Sequence, residues 1–129
     1  MKYVIGCALM LVLGFYGCGQ RADECKKFKN GSFKILDKKL GVFNIIRTDN
    51  WQMEYREGGK DTLTFAVQWV DDCTYKLKPY SSYFKKYPDA PKNSELTISI
   101  NKTTANSYFA TVASNFDGHT VDCEIIKVK

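Results

Sequence analysis

The sequence predicts an all-β protein of eight antiparallel strands in up-and-down order, closing into a small barrel and preceded by an export signal. Three observations carry that expectation. From Gly31 onward, apolar and polar residues alternate in short runs, with no sustained 3.6-residue period. The runs are separated by Gly, Asn and Asp, which tolerate the positive φ of tight hairpin turns. The chain has 129 residues, 44% apolar and 26% charged, which suits one folded domain and excludes both disorder and a bundle of membrane spans.

Residues 1–17 form the first element. Met1 and Lys2 precede an uncharged run from Tyr3 to Gly17, and polar Gln20, Arg21 and Asp23 follow. That run is short of the roughly 20 residues needed to cross a bilayer, and a basic start with small residues near its end fits a cleaved signal peptide. The stretch Phe15-Tyr16-Gly17-Cys18 is similar to a lipobox, in which a cysteine after a small residue becomes the lipidated first residue. Cys18 is therefore expected to anchor the protein to a membrane of the cell envelope, with ordinary cleavage after Gly19 as the competing reading. Removing 17 residues takes Lys2 with them and lowers the formal charge from +5 to +4. Residues 18–30 read as a linker and 31–129 as one barrel domain.

The expected strands are Gly31 to Leu36, Val42 to Asp49, Trp51 to Glu57, Thr62 to Val70, Thr74 to Lys78, Glu95 to Lys102, Tyr108 to Asn115 and Thr120 to Val128. Alternation gives each an apolar face. Leu63, Phe65, Val67 and Trp69 share one side of the fourth strand, and Trp51, Met53 and Tyr55 oppose Gln52, Glu54 and Arg56 in the third. Phe43 and Ile45, then Leu96, Ile98 and Ile100, then Val121, Cys123 and Ile125 repeat the pattern. At eight strands a barrel is either filled by its side chains or holds one small ligand. The candidates for lining a small apolar ligand are Trp51, Tyr55, Phe65, Trp69 and Tyr75.

The loop from Pro79 to Ser94 holds all three prolines and the aromatics Tyr80, Tyr83, Phe84 and Tyr87. Ser81 or Ser82 is placed to cap one helical turn through Lys86. Its length marks it as an interaction surface, while the plainer reading makes its rings a plug for one barrel end.

In an oxidising compartment, with Cys18 lipidated, Cys25, Cys73 and Cys123 allow three single bridges. Cys25 with Cys73 is preferred: it ties the chain before the first strand to the turn after the fourth, closing a loop worth about 4 kcal/mol in the chain-entropy account. Cys123 lies on an alternating apolar strand and reads as a small buried hydrophobe. Cys25 with Cys123 is the rival, because first and last strands adjoin in a closed barrel.

Catalytic chemistry finds no foothold. GxSxG, HExxH and P-loop patterns are missing, and His119 is the one histidine. His119 near Asp117, Asp122 and Glu124 reads as a hairpin turn with solvated charges before it reads as an acid/base pair. No metal or cofactor is expected, since no CxxC occurs and Asp71-Asp72 offers too few oxygens for a hard cation. Lysines interleave with rings in Lys26-Lys27-Phe28-Lys29 and Tyr83-Phe84-Lys85-Lys86-Tyr87, but charge of both signs is dispersed, so nucleic acid is not an expected partner.

Three segments, Cys25 to Phe33, Arg47 to Glu54 and Val67 to Leu77, resemble a family of small exported bacterial β-rich lipoproteins of unknown function. Its members share a cysteine before a Phe-Lys-x-Gly-x-Phe run and a Trp-x-x-Asp-Cys-x-Tyr-x-Leu block, and the resemblance implies pairing of Cys25 with Cys73. Some members are labelled DNA topoisomerase IV, a machinery this chain is too short to contain. In architecture alone the chain resembles lipocalin barrels, which by itself implies no function. The expected function is that of a noncatalytic, monomeric envelope lipoprotein binding a small apolar ligand. The alternative is a structural or protein-interaction module with a filled core that uses the 79–94 loop.

Overall fold

The computed structural model describes residues 22–38, 41–56 and 62–129. The signal segment 1–17 and Cys18 lie outside the described residues. The eight expected strands are present: β1 (Gly31–Asp37), β2 (Gly41–Arg47), β3 (Trp51–Arg56), β4 (Thr62–Asp71), β5 (Thr74–Pro79), β6 (Leu96–Thr103), β7 (Ser107–Ser114) and β8 (Thr120–Lys127). Each pairs antiparallel with its sequence neighbour, and β1 meets β8 to close the barrel. Bulges interrupt the ladders between Trp69 and Asp71 and between Ile100 and Lys102.

Up-and-down order sorts the connections onto two ends. The C-terminal ends of β2, β4, β6 and β8 lie at one end with residues 22–30 and residue 129; the C-terminal ends of β1, β3, β5 and β7 lie at the other, the mouth. The first end is closed. Residues 22–26 are helical, and Cys25 and Phe28, three apart on one helical side, are fully buried. Cys25 is bonded to Cys73, with Cα atoms 5.3 Å apart, and the Phe28 ring lies 5.2 Å from that of Tyr108. The described part of the expected linker is thus a plug, because a half-cystine and a phenylalanine bury more favourably under the barrel than in water. Lys29 Nζ donates to Asp72 at 3.0 Å beside it, and that bond holds the Asp72 carboxyl below its ordinary range.

Gly31 starts β1 at φ 135°, a conformation open to glycine alone at little cost. A Cβ there would collide with the carbonyl oxygen of Lys129. The two ends of the barrel domain therefore touch backbone to backbone, with Ser32 N–H donating to Lys129 O at 3.0 Å.

The mouth is covered from one side by α1 (Ser81–Lys86). The expected serine cap is not made. Tyr80 occupies the N-cap position without a side-chain hydrogen bond, and Lys85 and Lys86 sit in the last turn, where the helix dipole favours cations. Tyr83 drops from this helix onto Phe65, with ring centroids 6.0 Å apart.

Candidate functional site

The interior of the barrel is the first place to look for a bound molecule, and it is occupied by its own side chains. On β2 the phase that buries Ile45 also buries Arg47, which is 2% exposed. Its guanidinium donates to Gln52 Oε1 at 2.7 Å, to the Phe28 carbonyl at 2.9 Å, and to the hydroxyls of Tyr75 and Tyr108 at 2.9 and 2.8 Å. The two hydroxyls also bond each other at 2.8 Å. Arg47 Cζ lies 4.6 Å from the Phe33 ring centre and 4.4 Å from that of Tyr75, so the charge rests on π-faces as well as on acceptors. Burial alone would pull the guanidinium down, but Tyr75, Tyr108 and Glu54 more than offset it and the group stays charged. Burial pushes the Tyr75 phenol far up, so it acts as a neutral donor and acceptor.

The network continues toward the mouth. Gln52, buried, donates from Nε2 to Glu54 Oε1 at 3.0 Å. Burial raises the Glu54 carboxyl above its ordinary value despite the Gln52 hydrogen bond and the Arg47 charge. Arg47, Gln52 and Glu54 thus form a polar ladder along the inside wall.

This ladder reverses the inner face expected for β3. Register pairs Gln52 with Arg47 and Phe65, and Glu54 with Ile45 and Leu63, all inward. Trp51, Met53 and Tyr55 instead pair with Ala66, Thr64 and Thr62 on the outer wall. Trp51 and Tyr55 are therefore not interior candidates. Directly opposed residues on antiparallel strands share a face, so the buried Phe65 and Ile45 force the polar phase of β3 inside, where Arg47 gives it partners.

The other three ligand candidates do point inward, as packing. Phe65 is buried under Tyr83, and Tyr75 is buried in the Arg47 network. Trp69 stacks on Tyr75 with centroids 4.6 Å apart and has Lys29 Nζ 5.2 Å above its ring. Its indole Nε1 is buried without a hydrogen-bond partner. Where the barrel opens, a recess of about 150 Å³ lies among Phe43, Glu54, Tyr55, Leu63, Lys86 and Tyr87, so of the candidates that the register places on the outer wall Tyr55 still reaches the rim of the mouth. Small-molecule pockets run from about 300 Å³ upward.

The 79–94 segment divides its four candidate rings. Tyr83 belongs to the core margin, with Phe84 and Tyr87 at 5.6 and 4.9 Å from it. Tyr80 and Tyr87 remain 45% and 44% exposed. On its outer side Ser81, Phe84, Lys85 and Lys92 line an open groove of about 530 Å³.

The remaining candidates fall where turns need them. Asp117 Oδ1 accepts the backbone N–H of His119 at 2.9 Å, and Asp71 Oδ1 accepts that of Cys73 at 2.9 Å. Cys123 is free and half-buried, with burial raising its thiol so that it stays protonated. The pairing of Cys25 with Cys73 excludes the rival bridge to Cys123.

Arg47, Gln52 and Glu54 are the interior residues that hydropathy misses. A signal existed: Arg47 follows Phe43 and Ile45 at even spacing, so it occupies an inward phase. Comparison with family models, curated proteins and solved structures gives no match for the chain.

Proposed function

We propose that this protein is a noncatalytic module of the cell envelope, exported by residues 1–17 and anchored through Cys18, whose barrel is a filled scaffold rather than a carrier. Its contacts are made by the 79–94 segment at the mouth, through Phe84 and the exposed Tyr80 and Tyr87, with Lys85 and Lys92 flanking the groove. The observation that carries this reading is Arg47. A charged side chain with four hydrogen bonds stands where a small apolar ligand would lie, and displacing it would leave a buried charge unpaired, at a cost of about 3–5 kcal/mol. The recess left at the mouth, about 150 Å³, is half the size of the smallest usual pocket.

Native mass spectrometry of the protein extracted from its own membranes tests both halves. The expected species is a chain beginning at Cys18 with a lipid adduct, one disulfide, one free thiol and no further stoichiometric small molecule. A mature chain without lipid overturns the anchoring. A bound apolar molecule released only on unfolding overturns the filled scaffold.

A further inference from the structure

The ladder that closes the barrel is shorter than its neighbours. β1 pairs with β2 from Gly31 to Asp37, and β8 pairs with β7 from Thr120 to Ile126. Between β1 and β8 the paired residues are Phe33 with Lys127 and Lys34 with Ile126. Beyond Lys34, toward the mouth, the strands face each other across a cleft of about 280 Å³. Its apolar lining is Ile35, Leu36, Val121 and Ile126. Leu36 and Val121 are 63% and 62% exposed, far more than apolar residues flanking a completed ladder need to be.

The rest of the lining is the Cys123 thiol and three acidic residues, Asp37, Asp122 and Glu124. Asp122 accepts the Thr111 hydroxyl and Glu124 the Ser107 hydroxyl, both at 2.7 Å. Those bonds orient the carboxylates without neutralising them. Lys127, the nearest cation on β8, turns its Nζ to the Lys27 carbonyl at 2.6 Å.

We infer that this cleft is a strand-addition site for an extended segment of a partner polypeptide in which apolar and basic residues alternate. A strand edge offers a row of backbone donors and acceptors to an incoming chain. Ile35 and Val121, on the inward phase of the two strands, take its apolar side chains, and Asp122 and Glu124, on the outward phase along the rim, select cationic ones. The same rim disfavours a second copy docked seam to seam, which would set acidic groups against acidic groups, and it disfavours an anionic lipid surface. The inference is independent of the anchoring and of the 79–94 surface.

The test uses the full chain and three blocked peptides: alternating Lys-Val, alternating Glu-Val, and Lys-Val with a central proline. Affinity is read by fluorescence anisotropy and location by hydrogen–deuterium exchange. The Lys-Val peptide is expected to bind at least tenfold more tightly than either control. It is expected to slow exchange within 35–37 and 120–125, at amides that β2 and β7 do not hold. Asp122→Asn with Glu124→Gln, which removes the charges but keeps an acceptor for the Thr111 and Ser107 hydroxyls, is expected to abolish the preference for Lys-Val while the urea unfolding midpoint stays put, and Val121→Ser weakens binding severalfold. Three results would each overturn the inference: slow exchange across both segments in the free chain, equal binding of Lys-Val and Glu-Val, or self-association that protects the same segments.

Discussion

Replacing Arg47 by alanine removes the charge at the centre of the barrel and every hydrogen bond it donates. The hydroxyls of Tyr75 and Tyr108 keep each other at 2.8 Å, so the acceptors left orphaned are the Phe28 carbonyl and Gln52 Oε1. Each buried orphan costs about 1–3 kcal/mol, and losing the stacked contacts on Phe33 and Tyr75 adds about 1 kcal/mol. Relief of the buried charge offsets part of this, giving a net loss of about 3–5 kcal/mol, the usual range for breaking a buried ionic network. For a domain of this size that lowers Tm by roughly 15–30 °C. Arg47→Met is expected to lose about half as much, because its side chain keeps the contacts with the rings and fills most of the space the arginine leaves. Urea unfolding with the disulfide intact, followed by fluorescence of Trp51 and Trp69, measures both, and an unchanged m-value confirms that the folded and unfolded states are comparable. A loss under about 1 kcal/mol for Arg47→Ala would refute the reasoning, since it would mean that water already solvates the site.

Three further outcomes are expected. Gln52→Ala, which cuts the bridge between Arg47 and Glu54, costs about 1–3 kcal/mol, whereas Trp51→Ser on the outer wall costs under about 1 kcal/mol; unfolding free energies in the opposite order would return Trp51 to the interior. Because the folded Glu54 carboxyl lies above its unfolded value, its contribution is fully present below about pH 4.5 and is lost as pH rises through the folded value. Glu54→Gln should therefore gain stability relative to the parent between pH 4 and pH 7, and a difference that shrinks over that window would contradict the burial of the carboxylate. Gly31→Ala combines a left-handed backbone with a collision on Lys129 O; it should cost at least about 2 kcal/mol and speed amide exchange at Ser32 and Val128, and parent-like exchange there would show that the ends are not joined.

The architecture was readable because each hairpin carries its own instructions. Asp49-Asn50 and Asp71-Asp72 mark turns, alternation marks strands, and neighbours in sequence become neighbours in the sheet. The inner face of β3 was not readable from hydropathy, since Trp51, Met53 and Tyr55 outweigh Gln52, Glu54 and Arg56. Parity carried the answer instead. A turn centred on Asp49-Asn50 sets Arg47 opposite Gln52 and Ile45 opposite Glu54, as observed, so turn geometry overrides side-chain greasiness when the two conflict. The plug at 22–30 escaped notice because Cys25 and Phe28 supply only two apolar positions, too few to show a period. The short ladder between β1 and β8 had no local signal either, because it joins residues about ninety positions apart and depends on the accumulated stagger of every strand between them.

Residues 22–30 and residue 129 leave the barrel on the same side, opposite the 79–94 segment. Under the anchoring proposed above, the plugged pole is the one nearer the anchor. Tilted strands of six to ten residues then set the Phe84 groove roughly 20 Å from the plugged pole. A tag fused after residue 129 would sit at the plugged pole and leave the mouth unobstructed.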